Sequence, residues 1–160
     1  MIKLGIDNGN YNTKSSEGML YASGYAESDR EFITPEMQLY YGGKYYAIGE
    51  RRLRFQQDKT REQDTFILTL PAIAAAIGKA GVTDAEIILG VGLPIDSYGT
   101  RKDALRRYFL RNDVSFQFEG RPYRCRIADC KVFAQGHAAL CRYYPRLKEY
   151  RSITLVDIGG

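Results

Sequence analysis

The sequence contains no tryptophan, a single histidine (His137) and only three cysteines (Cys125, Cys130 and Cys141) in 160 residues. One histidine excludes most histidine-based catalysis and histidine-rich metal sites. The cysteines are too few and wrongly spaced for a disulfide framework or a four-ligand zinc site, and they suit a reducing compartment. Long hydrophobic runs are missing as well. The longest, Leu70 to Ile77, is about half a membrane span, and no apolar leader segment follows Met1. A cytoplasmic location with no membrane partner is therefore expected. Charge is nearly balanced: 23 lysines and arginines against 19 aspartates and glutamates leave +4, too little to argue by itself for nucleic acid. With 44% apolar and 26% charged residues the chain is globular, of a size for one domain or one lobe of a larger protein. What remains is chemistry based on carboxylates, glycines, amides and lysine.

Hydrophobic periodicity predicts an α/β arrangement. Ile2, Leu4 and Ile6 alternate with polar or small residues and read as a strand entering the turn Asp7-Asn8-Gly9-Asn10. Tyr11 to Ser16 and Met19 to Tyr25 read as two more strands of an antiparallel meander. From about residue 30 to 64 the composition shifts to Tyr, Gly, Arg and Gln, with a hairpin at Gly42-Gly43; this stretch is expected to be a small inserted subdomain. Gln63 to Lys79 is expected to be one helix, kinked at Pro71. A strand follows over Asp84 to Val91, then a basic helix from Asp96 or Ser97 to about Arg111. Val114 to Phe118 and Tyr123 to Ile127 alternate around Glu119-Gly120 as a second hairpin. Phe133 to Tyr144 is expected to be a helix with Phe133, His137, Leu140, Cys141 and Tyr144 on one face. Ser152 to Ile158 reads as a final buried strand.

Three places carry candidate chemistry. In Asp7-Asn8-Gly9-Asn10, Gly9 lets backbone N–H groups approach an anion, Asp7 is placed to hold the water shell of a magnesium ion, and Lys14 can reach phosphate oxygens as a point charge. A polar hairpin turn is the plain alternative. Asp157-Ile158-Gly159-Gly160 repeats the pattern of buried strand, terminal carboxylate and glycine, and the pair says more than either member. Gln135, expected in the first turn of the last helix, can accept one hydrogen bond from a water and donate another, which would orient that water for attack on a phosphoryl group. His137 and Cys141 make at most half a metal site and fit a packed core better. The basic groups around Arg51 and Arg106 read as solvated faces.

Taken in order, Ile6-Asp7-Asn8-Gly9-Asn10 with Lys14, Gly92-Leu93-Pro94-Ile95 before a basic helix, Gln135-Gly136 and Val156-Asp157-Ile158-Gly159-Gly160 resemble the actin-like ATPases. The order looks most like the plasmid-segregation actins of the ParM/StbA type. The resemblance implies an RNase H-like lobe, a mixed sheet flanked by helices with a small inserted β-containing subdomain. It implies ATP and Mg2+ as cofactors. Asp7, Asn8, Gly9, Asn10 and Lys14 would form the first phosphate loop, and Asp157, Gly159 and Gly160 would begin the second. Asp7 and Asp157 would hold the metal through water. Gln135 would match the position that orients the attacking water, where ParM relatives carry Glu and eukaryotic actin carries Gln. The implied partners are other copies in a filament and an adaptor protein bound to centromere-like plasmid DNA, with no direct nucleic-acid contact. In this family a second lobe with the adenosine pocket follows, so the 160 residues are expected to be the first lobe and inactive alone. A chaperone or sugar kinase of the same superfamily, or a non-catalytic assembly module, are the competing expectations.

Overall fold

A computed structural model describes residues 1–33, 36–52 and 63–154. Its strands are β1 (Ile2–Asn8), β2 (Asn12–Ser15), β3 (Leu20–Ala22), β4 (Gly24–Ser28), β5 (Gln38–Tyr41), β6 (Lys44–Arg52), β7 (Asp84–Leu93), β8 (Arg111–Phe118) and β9 (Arg121–Ala134). The helices are α1 (Asp64–Ile67), α2 (Leu70–Lys79), α3 (Ile95–Phe109) and α4 (His137–Leu147). All nine described strands form one mixed sheet in the order β3-β2-β1-β7-β9-β8-β5-β6-β4. The central pairs β1–β7 and β7–β9 are parallel, and the other pairs are antiparallel. This mixed sheet with helices is the α/β architecture the periodicity predicts.

Alternation decides which face of the sheet is buried. Leu4 and Ile6 on β1, and Ile87, Leu89, Val91 and Leu93 on β7, all point to one side and are buried. Against that side lies α2, whose Leu70, Ala72, Ile73, Ala74, Ala76 and Ile77 are all buried. A helix with no charged residue before Lys79 has no solvent face to offer, so it sits inside the core. α3 contributes Leu105 and Phe109 to that core, packs Tyr98 and Tyr108 against it, and keeps its basic residues outward. One of them, Arg106, bonds Asp129, whose carboxyl is held down at about 2 by Lys131 first and then by Arg106.

The Met19-to-Tyr25 segment is not one strand. It breaks at Ser23 into β3 and β4, which are the two opposite edges of the sheet. Two edges separated by one residue of chain require the sheet to curl back on itself, and that curl wraps α2. The Gln63-to-Lys79 helix is likewise two helices. Leu68 and Thr69 form a turn, and Pro71 lies in the first turn of α2, where its missing N–H has no helical partner to lose. α3 begins after Pro94 as its N-cap, ahead of Asp96 and Ser97.

The hairpin of β8 and β9 follows its alternation: Val114, Phe116 and Phe118 are buried opposite Tyr123, Cys125 and Ile127. Glu119 and Gly120 both take positive φ, as the tight turn requires. The β5–β6 hairpin turns similarly at Gly42-Gly43, and β5 pairs with β8, so it continues the main sheet. Of its tyrosines, Tyr46 is buried and Tyr40, Tyr41 and Tyr45 are half-buried.

β9 runs on through Ala134, so Phe133 belongs to a strand and α4 starts only at His137. The expected apolar face of the last helix is open, with Phe133, Cys141 and Tyr144 exposed; among the described residues α4 meets chiefly β9. The side chain of His137 lies outside what the structure describes. Residues 152–154 are not strand, and the remainder of the Ser152-to-Ile158 segment lies outside the described residues. No helix among the described residues is long and apolar enough to cross a membrane.

Candidate functional site

The carboxyl ends of the three parallel strands meet at one rim of the sheet, the usual place for ligands in such sheets. β1 delivers Asp7 there, exposed at the strand's end. Lys14 sits directly opposite Asp7 in the β1–β2 ladder, and facing residues in such a pair share one side of the sheet. The turn after β9 delivers Gln135, whose Nε2 donates to Asp7 Oδ1 at 3.3 Å. A carboxylate and an amide from two distant segments thus meet, and the strand register sets Lys14 on the same side of the sheet.

A bulge makes that meeting possible. In the β7–β9 pairing Ile87 faces Ile127 but Ile88 faces Asp129, so β9 holds one extra residue. Beyond it the alternation changes phase: Cys130 is buried, and Phe133 lies over the open face against Gly90, 3.5 Å from where a Cβ would be. Gln135 is tied by its backbone N–H to Leu93 O at 2.7 Å. It lies in the turn before α4, not in the helix's first turn, and the helix N-cap is Gly136 with φ 82°. Its side chain passes over Gly92, where a Cβ would stand 3.0 Å from Gln135 Cγ. Gly92 therefore gives Gln135 its path to Asp7.

The turn after β1 is tighter than its composition suggests. Neither Asn8, Gly9 nor Asn10 has positive φ. Gly9 is required for another reason: a Cβ would lie 2.8 Å from Asn12 O, the same oxygen that accepts the Gly9 N–H at 3.1 Å. Beneath the turn, Ser23 Oγ donates to Gly9 O at 2.6 Å and lies 3.1 Å from Thr13 Oγ1. Asn8 Nδ2 donates to Thr69 Oγ1 at 3.2 Å. Next to these, Tyr25 donates to Asp64 Oδ1 at 2.5 Å. Burial, and then the bond to Asp64, push the Tyr25 phenol well above its ordinary range, so it remains a donor.

Asp7, Asn8, Gly9, Asn10, Lys14 and Gln135 are therefore together, while Asp157, Gly159 and Gly160 lie outside the described residues. Gly92, Ser23 and Thr69 are site-supporting residues that sequence reasoning missed. A glycine inside a strand was a signal for the first, since it marks a close approach; the two hydroxyls carry no local signal. Among the described residues no three His, Cys, Asp or Glu side chains cluster to hold a metal by protein ligands alone. A single exposed carboxylate, Asp7, fits a hard cation that keeps most of its waters, as magnesium does.

Comparison with solved structures gives the fold its relatives. The AlfA filament bound to AMPPNP superposes with a TM-score of 0.66 at 18% identity, over 88% of this chain and 56% of that one. The apo pSK41 ParM protein gives 0.69 at 14%, over 84% and 49%. Ta0583, an archaeal actin homologue, in its ADP complex gives 0.67 at 19%, over 91% and 47%. This chain spans about half the length of each. Comparison with curated protein sequences finds no match. The family of actin-like proteins, N-terminal domain, matches residues 5–137, and the chain belongs to it.

Proposed function

We propose that these residues are the first lobe of an actin-like, filament-forming ATPase that segregates plasmid DNA in the cytoplasm through an adaptor protein, with a second lobe following. The observation that carries the reading is the bond between Gln135 and Asp7 at the rim, with Lys14 paired to Asp7 in the ladder, beside a turn with no room for a side chain at Gly9. In this reading the Asn8–Asn10 backbone and Lys14 hold the phosphates, and Asp7 holds the metal's water shell. In the same reading Asp157, Gly159 and Gly160 supply the second phosphate loop. Magnesium, when bound, neutralises charge that develops on the transferred phosphoryl group.

The orientation of Gln135 follows from its bond to Asp7. With Nε2 committed to the carboxylate, Oε1 is left to accept a hydrogen bond from a water and so to point that water's lone pair at the phosphorus. An amide does not take the proton away, so Gln135 acts by orientation. A sugar kinase needs a carboxylate base aimed at a substrate hydroxyl, and Gln135 is a poor substitute.

Filament growth requires a head-to-tail contact that does not close. The half-buried Tyr40 and Tyr45, with ring centroids 4.7 Å apart, favour the 30–64 insertion as this lobe's contribution. The test is light scattering and electron microscopy on the full-length gene product with magnesium and ATP, beside the 160-residue chain. Nucleotide-dependent filaments from the former support the proposal. The shorter chain should stay monomeric and turn over far below about 1 per second. Hydrolysis without filaments would move the reading to the chaperone or sugar-kinase branch, and neither activity would leave an assembly module.

A further inference from the structure

Buried polar side chains are costly unless they are bonded, so their placement is informative. Among the described residues four are buried: Thr13, Ser23, Thr65 and Thr69. Three of them, Thr13, Ser23 and Thr69, together with the backbone carbonyl of Thr65, make two short chains that end on the turn after β1. In one, Thr13 and Ser23 hydroxyls lie 3.1 Å apart and Ser23 donates to Gly9 O at 2.6 Å. In the other, Thr69 Oγ1 donates to Thr65 O at 2.8 Å and accepts from Asn8 Nδ2 at 3.2 Å. The Thr69 proton is thereby committed to a carbonyl, which fixes its oxygen as an acceptor and turns the Asn8 amide nitrogen towards it.

The two hydroxyls also occupy matching places in the chain. Ser23 separates β3 from β4, where the chain leaves for the 30–64 segment, and Thr69 separates α1 from α2, where it has returned. These stems are tied across by Tyr21, which donates to Leu68 O, and by Tyr25 on Asp64. Apolar residues would fill either hydroxyl's space at lower desolvation cost, so core packing alone gives no reason for them.

We infer that Ser23 and Thr69 are positioning residues that hold the Asp7–Asn12 turn in its bound-ready shape, Ser23 through the Gly9 carbonyl and Thr69 through the Asn8 amide. The inference rests on the proposed nucleotide role of that turn for its functional meaning, but the positioning itself is testable without nucleotide. In the 160-residue chain, amide hydrogen exchange at Gly9 should rise roughly fivefold in Thr69→Val and in Ser23→Ala, by the loss of one buried hydrogen bond. Exchange at Leu89 and Ile127, in the core strands, should stay the same. Thr69→Ser keeps the hydroxyl and should return Gly9 to within about twofold of the parent, the exchange of one buried bond being restored. Unchanged Gly9 exchange, an equal rise at Leu89 and Ile127, or Thr69→Ser behaving like Thr69→Val would each overturn the inference. In the full-length gene product, the same two variants should bind an ATP analogue about tenfold more weakly, as expected when a preorganised site must be ordered on binding. If the parent protein binds no ATP analogue while the exchange pattern is as stated, the nucleotide reading fails and the positioning stands.

Discussion

Asp7 and Gln135 lie 128 residues apart in the chain and 3.3 Å apart in the fold, the amide nitrogen donating to the carboxylate. Each limits the other: Asp7 decides which end of the amide is free, and Gln135 occupies one carboxylate oxygen. The relationship separates their roles in the full-length gene product. Gln135→Ala should lower turnover by about 100-fold, since a water-orienting contact matters mainly in the transition state, and leave nucleotide affinity within about threefold. Asp7→Ala should cripple magnesium-dependent hydrolysis. Single-turnover rates and equilibrium nucleotide binding on both variants separate the two outcomes. Lost affinity with unchanged turnover in Gln135→Ala would refute its assignment.

Gly92 gives a second, steric handle on the same amide. A Cβ there would stand 3.0 Å from Gln135 Cγ and 3.3 Å from its Nε2. The strand itself tolerates alanine, so the pressure falls on the Gln135 side chain, which must swing away from Asp7. Gly92→Ala should fold normally and reduce turnover about tenfold, the scale on which small misplacements of a catalytic group act. Normal melting with parental turnover would show that Gln135 acts from another rotamer.

Gly99 supplies the contrasting case. It lies inside α3, and a Cβ there meets nothing within 4 Å. Gly99→Ala should therefore raise stability by about 0.5–1 kcal/mol through reduced backbone freedom in the unfolded chain and better helix propensity. Urea unfolding measures this directly. A destabilised variant would mean that this face of α3 is covered.

Legibility in the sequence tracked how local the determining physics is. The β8–β9 hairpin was readable because Phe116 and Tyr123 alternate in phase about a turn at Glu119-Gly120, and they do pair across it. The continuation of β9 was not readable, because the extra residue after Ile127 shifts Cys130 out of phase with Cys125. That hid the true end of the strand and placed Gln135 in a helix it precedes. The Ser23 break was hidden for a different reason. Nothing about Tyr21 to Tyr25 says that its two halves serve opposite edges of a curled sheet; only closure of the sheet around α2 does. Of the site, Asp7 to Asn10 with Lys14 was legible as a turn and its opposite strand. Gly9, however, is needed for Asn12 O and not for a left-handed backbone. Ser23 and Thr69 were silent, since a buried hydroxyl and a surface one look alike in a sequence.

Alkaline pH should be the condition that weakens this lobe. Burial pushes the Cys125 and Cys130 thiols from 9.0 up to about 12, with nearby carboxylates (Asp84 and Asp113 for the first, Asp129 for the second) adding to the shift. Burial also lifts the Tyr108 phenol from 10.0 to about 12. In each case the folded state keeps a proton that the unfolded chain gives up earlier. Below about pH 9 both states hold it, and the groups leave stability unchanged; between about 9 and 12 the unfolded state is favoured increasingly by its ionised thiols. The urea midpoint should therefore be level from pH 7 to 8.5 and fall above about 9, and the fall should be shallower in Cys125→Ala. The same burial predicts that a thiol reagent at pH 8 modifies exposed Cys141 alone in the native chain and all three cysteines in denaturant. Intact-mass measurement counts the adducts. Rapid native labelling of Cys125 or Cys130 would mean that the sheet opens over α2 far more readily than its packing implies.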